Sequence, residues 1–436
     1  MKFRERLVGF LQVVVFALLA YAPASALAQP VEPVLSLAKK ERPILLETLK
    51  ELVSIESGSR DREGLDRLAD LIAARLKALG GEVELVEPPA AEVYKMHDTP
   101  ERIGRMVRAT FTGTGSRKIL LLAHMDTVYP RGMGAQQPFR IDGNRAYGLG
   151  IADDKQGIAV ILHTLAMLKA MDFRGYGTLT VLINGDEEIS SPASRNLITQ
   201  LGSRHDAVYS FESSRAESDK LSLATSGIAA VTLTVRGRAS HSGSAPERGV
   251  NALYELAHQI MQTRDLSEPK VGLKMNWTMA SAGVTRNMIP PGAQATADVR
   301  VLRVSDYDAI ERKVRERIKN QLLPEAKVEM DFERRRPPLE ATAASRALAR
   351  HAQQIYRELG KELVVDDRPE GGGTDAAFAA LNTQAPVIER FGLRGFGAHS
   401  NDAEYVLIDS IEPRLYLAVR MIMDAAQGSA PLTAER

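Results

Sequence analysis

Cysteine is absent from this chain of 436 residues. Disulfides, thiolate nucleophiles and cysteine-type zinc sites are therefore excluded, and any metal must be held by His, Asp and Glu. Net charge is almost absent too: 56 Lys plus Arg against 55 Asp plus Glu leave +1. No global field draws the chain to nucleic acid. Beyond the N-terminus no apolar run is long enough to span a bilayer, and there are no internal repeats. With 44% hydrophobic and 25% charged residues, the composition is that of a soluble globular protein. The length suits two or three domains with an ample core.

The N-terminus stands apart. Lys2, Arg4 and Arg6 precede an apolar run from Leu7 to Ala22, followed by Pro23, Ser25 and the small-x-small triplet Ala26-Leu27-Ala28. This is the pattern of a secretory signal peptide over 1–28, cleaved after Ala28 to leave Gln29–Arg436. An uncleaved membrane anchor is the alternative; the run is short for a span and carries Gly9 and Gln12. The expected location is the periplasm or the exterior, with no membrane partner after cleavage.

Two apolar stripes at helical spacing open the mature chain, Leu45 to Val53 and Leu65 to Leu79, the second stopped by Gly80-Gly81. Strand-like runs at 107–111, 119–122, 178–183 and 207–211 then alternate with helical patterns at about 155–170 and 194–201. That alternation predicts an α/β layered domain with a mostly parallel sheet flanked by helices. Near Ser226 the pattern changes to a β-α-β-β-α-β order, which suits a ferredoxin-like α+β unit. Arg334-Arg335-Arg336-Pro337-Pro338 has the look of a linker, after which the α/β pattern resumes. The expected organisation is a discontinuous α/β domain, 29–225 and 336–436, with a second domain inserted at 226–335.

Five signals carry chemistry. Leu122-Ala123-His124-Met125-Asp126 is a buried strand ending in His-x-Asp, which puts both polar side chains on one face. They emerge at the strand's C-terminal end, where open α/β sheets bind ligands. A His oriented by a carboxylate is a common metal ligand; a core His bonded to Asp has the same pattern. Gly148-Leu149-Gly150-Ile151-Ala152-Asp153-Asp154 carries two carboxylates into a helix start, where capping is the plainer role. Asp186-Glu187-Glu188 follows a hydrophobic strand; a solvated loop or a divalent cation would each relieve the repulsion. Glu212 ends another strand, and His399 sits in a Gly-flanked loop. Nitrogen and oxygen ligands without sulfur suit zinc, cobalt or manganese. His97, His163, His205, His258 and His351 lack such contexts and are read as structural.

In combination these runs resemble the zinc-dependent aminoacylase/carboxypeptidase family of co-catalytic metallopeptidases, and within it the periplasmic glutamate carboxypeptidases of the carboxypeptidase-G type. The resemblance covers essentially the whole mature chain. It is also carried by Gly237-Arg238-Ala239-Ser240-His241-Ser242-Gly243, Gly371-Gly372-Gly373-Thr374-Asp375 and Asn287-Met288-Ile289-Pro290. The resemblance implies that His124 and Glu212 hold one metal, Glu188 and His399 the other, and that Asp153 bridges both, with a cis peptide bond to Asp154. It implies Glu187 as general base, Asp126 as the orienter of His124, and the inserted domain as lid and dimerisation domain. It further implies that His241 reaches the partner subunit's site, and that Arg300 and Asn287 bind the substrate's carboxylate end. Lys220 matches a position that meets a glutamate side chain.

This chain departs from the type at Ile189-Ser190-Ser191, where Lys-Gly-Ser is usual. It departs again at Glu212-Ser213, where Glu-Pro is usual, and at Ala398-His399-Ser400-Asn401, where Tyr-His-Ser-Asp is closer to the pattern. None of these removes a ligand. The resemblance implies a homodimeric dinuclear zinc carboxypeptidase that releases a C-terminal amino acid, preferably glutamate, from an N-acyl amino acid or peptide. An N-acyl amino-acid deacylase or dipeptidase of the same family is the nearest alternative. A secreted binding protein without catalysis is the alternative from another class.

Overall fold

The computed structural model describes residues 29–369, 372–400 and 403–433; the expected signal peptide over 1–28, Gly371 and Asn401 lie outside the described residues. Two principal sheets are built from β1 (Glu82–Val86), β2 (Met106–Thr112), β3 (Lys118–His124), β4 (Thr178–Asn184), β5 (Ala207–Ser210), β6 (Gly227–Arg236), β7 (Lys274–Ala282), β8 (Gly292–Val301), β9 (Lys327–Arg336) and β10 (Val387–Ile388). The helices are α1 (Val34–Ser54), α2 (Arg62–Ala78), α3 (Gln156–Ala170), α4 (Arg195–Gly202), α5 (Ala252–Thr263), α6 (Ser305–Arg317), α7 (Ala343–Glu358), α8 (Ala376–Ala380) and α9 (Ile411–Gln427). Among the described residues no helix is long and apolar enough to cross a membrane.

The first sheet has the order β1-β2-β4-β3-β5-β10. β3, β4, β5 and β10 are mutually parallel, while β2 runs against β4 and β1 against β2. The expected fold class, mixed α/β with a mostly parallel sheet, is the one observed. Its central strand shows why the pattern reads as a continuous apolar run. Ile119, Leu121 and Ala123 pack with α1, α2, α3, α7 and α9 on one face. Leu120 and Leu122 pack with α4 and α8 on the other. A strand covered by helices on both faces has no polar side to alternate with.

The second sheet, β7-β8-β6-β9, is antiparallel throughout. α5 and α6 pack on it through two apolar clusters, and the element order is β-α-β-β-α-β. The structure differs from the sequence expectation at its exit. Arg334, Arg335 and Arg336 are the last residues of β9, not a linker, and Arg336 is buried. Arg334-Arg335-Arg336 before two prolines reads as a linker because Glu187, the carboxylate that pairs with Arg336, lies far away in sequence. β1 and α8 were not anticipated either; Ala376-Ala377-Phe378-Ala379-Ala380 is too short and too uniform to show a period.

A smaller five-stranded sheet fastens the later loops to the chain beyond β5, with 394–396 parallel to 214–215 and antiparallel to 405–407. This brings the loop after Phe396 beside the one after Ser210. Because the parallel strands carry the sheet's core, Leu121→Ala at the centre of β3 is expected to cost about 2–5 kcal/mol. Urea unfolding of the metal-free chain checks this as a lowered midpoint at unchanged slope.

Candidate metal centre

β3, β4 and β5 end side by side, with His124 opposite Asn184 and Leu122 opposite Ser210. The chain beyond each end carries the acidic or imidazole group seen in the sequence. His124 Nε2 lies 3.0 Å from Asp153 Oδ1 and 3.4 Å from Glu212 Oε1. His399 Nε2 lies 3.3 Å from Asp153 Oδ2 and 3.0 Å from Glu188 Oε2. Asp153 therefore stands between the two imidazoles, one oxygen toward each. The peptide bond from Asp153 to Asp154 is cis.

These spacings test whether a metal pair fits. Two ligands at tetrahedral positions on an ion, each roughly 2.05 Å away, stand about 3.3 Å apart. The observed 3.0–3.4 Å separations match that edge length. Ligand-type atoms of His124, Asp154 and Glu212 lie within 4.8 Å of one another, as do those of Asp153, Glu188 and His399. Asp154 Oδ2 and Glu188 Oε1 are buried without a hydrogen-bond partner, a state that a cation relieves. Asp154 forms no helix cap with its side chain; its Oδ1 accepts from Gln156 Nε2 at 2.6 Å.

Charge crowding is visible in the proton equilibria. Burial, reinforced by the charge of Asp153, pushes Glu188 up to about 7. Burial also holds Glu187 well above the usual carboxylate range, although Arg336 acts the other way. Hydrogen bonds to Asp153 and Glu188 push His399 up to about 11. For His124 burial favours the neutral ring, but Glu212, Asp126 and Asp153 together raise it. His399 also sits at φ 64, a left-handed conformation uncommon for a residue with a Cβ.

Asp126 organises the site from beneath. Its Oδ1 accepts the Glu187 N–H at 3.0 Å, and its Oδ2 accepts the Glu188 N–H at 3.0 Å and the Ser59 hydroxyl at 2.8 Å. His124 Nδ1 is 3.3 Å from the same Oδ1. One buried carboxylate thus fixes an imidazole and the backbone of the acidic pair. Gly150 is required where it stands, at φ 71 with space for a Cβ only 2.4 Å from Thr127 Cγ2.

Residues 120–424 match the model of peptidase family M20/M25/M40. The chain belongs to that family. It is 45% identical to carboxypeptidase G2 of Pseudomonas sp. (strain RS-16), over 94% of this chain and 96% of that protein. It is 31% identical to acetylornithine deacetylase of Klebsiella pneumoniae (strain 342), over 52% of this chain and 58% of that protein. The fold is shared with aminopeptidase PepT of Bacillus cereus at TM-score 0.70 and 21% identity, over 88% of this chain and 99% of that one.

The remaining candidate residues of this M20-family chain lie on other elements. His241 and Asn287 are neighbours in the inserted unit: His241 bridges Met288, and Ser242 N–H donates to the Asn287 carbonyl at 3.1 Å. His241 Nδ1 accepts from the Gly243 and Ser244 N–H groups, which assigns the ring proton to Nε2. Arg300, on β8, is paired with Asp298 at 2.9 Å. Lys220 is buried and paired with Asp366 at 2.7 Å. Among the described residues, none of these four pairs with His124, Asp153 or His399.

Arg336, missed from the sequence, is the added member. Its guanidinium pairs with the Glu187 carboxylate and also donates to the Glu187 and Gly373 carbonyls. Its position 149 residues from Glu187 left no local signal. Two of the histidines read as structural proved to have carboxylate partners away from the centre: His163 with Glu41 and His351 with Asp424. Removing Arg336 strands a buried carboxylate. Arg336→Met is expected to cost about 3–5 kcal/mol in the metal-free chain, measured by denaturant unfolding.

Proposed function

We propose that this M20 peptidase is a dinuclear zinc carboxypeptidase that hydrolyses an amide bond to release a C-terminal amino acid, preferably glutamate. The observation that carries the proposal is Asp153, with one oxygen toward each imidazole at ligand–ligand spacing. The 45% identity to carboxypeptidase G2 over nearly the whole of both chains supports the substrate class. The acetylornithine deacetylase likeness keeps N-acyl amino-acid deacylation as the second reading.

In this proposal His124 and Glu212 would hold one ion, His399 and Glu188 the other, with Asp153 shared between them. Asp154, buried beside His124 and Glu212, adds charge against the first. When bound, the ion pair supplies polarisation of the scissile carbonyl and acidification of the attacking water. Glu187 takes the water's proton and passes it to the leaving nitrogen. Its backbone is fixed by Asp126 and its carboxylate by Arg336, so it meets the substrate in one orientation. Burial raises its proton affinity toward that of a usable base.

The inserted unit acts as lid and dimerisation domain. β7 is an edge strand of its sheet, and Leu253, Tyr254, Met261 and Met279 stand exposed nearby in the fold's α5 and β7. An unpaired edge beside apolar side chains favours a second copy. His241, protonated on Nε2, is poised to donate to the oxyanion of the partner subunit's substrate. Arg300 and Asn287 receive the substrate's carboxylate end, Arg300 by exchanging Asp298 for it; Lys220, through exchange with Asp366, is assigned the glutamate side chain. A signal peptide over 1–28 delivers the chain to the periplasm or the exterior.

Metal analysis is expected to find two zinc ions per chain, with cobalt or manganese as substitutes, and reversible loss of activity on chelation. Glu187→Gln should keep both ions and lose a factor of about 10² or more in rate, read from turnover of N-acyl glutamates; full turnover would remove it as base. His241→Ala should keep its metal and lose about 10²–10³. Mixed with Glu187→Gln under subunit exchange, it should recover activity, since one composite site then holds both intact groups. A screen of N-acyl amino acids and dipeptides decides between the two substrate classes.

A further inference from the structure

Glu404 belongs to none of the assigned roles, yet it is buried and saturated. Its Oε1 accepts the N–H groups of Ala152 and Asp153 at 2.8 and 3.1 Å. Its Oε2 accepts the Gly150 N–H at 2.9 Å and the Tyr129 hydroxyl at 2.6 Å. A carboxylate offers about four lone-pair sites, and here all four are filled. Glu404 therefore has no lone pair left for a cation and is not a ligand.

What those bonds hold is specific. Three of the four donors are backbone groups of the turn that presents Asp153, including the N–H of Asp153 itself. The fourth, Tyr129, has a single hydroxyl proton, placed mainly on Glu404 Oε2 and within 3.0 Å reach of the carbonyl of Ser400, the residue after His399, so the hydroxyl is shared between the two acceptors. Glu404 also lies five residues past His399, and its own carbonyl accepts from Gly148 N–H at 3.4 Å. One side chain thus ties the carboxylate between the two imidazoles to the loop carrying the second imidazole.

We infer that Glu404, with Tyr129, is a positioning residue that sets the spacing between Asp153 and the His399 loop, so that zinc affinity depends on it. The inference rests on the dinuclear reading above. The ligand atoms stand 3.0–3.4 Å apart before any ion is considered. A turn free to move by an ångström would lose that spacing, and the ordering would then be charged to metal binding. Gln at 404 keeps the volume but turns one acceptor oxygen into an amide that faces N–H or O–H donors.

The test titrates zinc alone into metal-free wild type, Glu404→Gln and Glu255→Gln against a chromogenic chelator, and melts each metal-free chain. Glu255 is an equally buried carboxylate in α5 that accepts from Gln259 and the Leu323 N–H at 2.6 Å each, away from the site. The expected result is zinc binding weakened about 10–100-fold in Glu404→Gln, with Glu255→Gln binding as wild type although both melt lower. Wild-type zinc affinity in folded Glu404→Gln, or an equal loss in Glu255→Gln, would overturn the inference. Should Glu404→Gln not fold, Tyr129→Phe carries the test: it keeps the carboxylate and removes one of its donors. An affinity loss of about threefold or more supports the role, and unchanged affinity overturns it. Wild type that takes up no zinc overturns the dinuclear reading and this role with it. Wild type and variant that both take up two ions alike overturn the role alone.

Discussion

Like charge forced together under burial is the constraint that the rest of the site answers. Asp126, Asp154, Glu187 and Glu389 are buried near the ends of β3, β4, β5 and β10, with Asp153, Glu188 and Glu212 among them. Two unit charges 4 Å apart repel by about 4 kcal/mol at an effective dielectric of 20, so such a group cannot persist as bare carboxylates. Each has its own answer. Asp126 is bonded to two backbone N–H groups and a hydroxyl, Asp153 to two imidazoles, Glu187 to a guanidinium. Glu389, pushed up to about 8 by burial and by Glu212, accepts from the Thr374 hydroxyl. What remains over are the orphaned oxygens of Asp154 and Glu188, one residue in each of the two groups of metal-ligand side chains.

The same constraint ties the inserted unit to the sheet that carries the site. β9 delivers Arg336 to Glu187, and Arg195 at the start of α4 fastens the two regions a second time. Its guanidinium donates to the Ser190 carbonyl at 2.6 Å and to the Arg335 carbonyl at 2.8 Å, while stacking on Tyr94 with its carbon 4.0 Å from the ring centre. Two buried arginines thus connect the turn after the acidic pair to the strand returning from the insertion. The strand returning from the insertion is joined to Glu187 and the turn after it by direct contacts of two guanidinium groups.

Much of the architecture was legible because its causes are local. The run Ile119–Leu122 is apolar on both faces, which suits a covered strand; the helical stripe at 65–79 and the change of pattern near 226 follow from periodicity alone. The members of the central cluster were legible only as candidates, and their separate roles came with the family resemblance. His124, Glu187, Glu188 and Glu212 follow strand ends, and Asp153 and His399 sit in Gly-rich loops, so residue chemistry and local conformation coincide within a few positions. Burial along α5 is less regular: Leu256 is buried, while Leu253 and Met261 face outward.

Partnership between distant residues was decided by the tertiary structure alone. Arg336 read as part of a charged linker until β9 carried it across 149 residues to Glu187. His163 had no acidic neighbour in sequence, yet it meets Glu41 across 122 residues. Glu404 had no mark at all, being one glutamate near a loop, and became the acceptor for a turn 251 to 254 residues earlier. Composition and periodicity determined which elements form and which side chains can do chemistry, because both depend on neighbours along the chain. Which charge faces which was decided by strand order and by the return of β9, because hydrogen bonds and ion pairs act only over a few ångströms, whatever the separation in sequence.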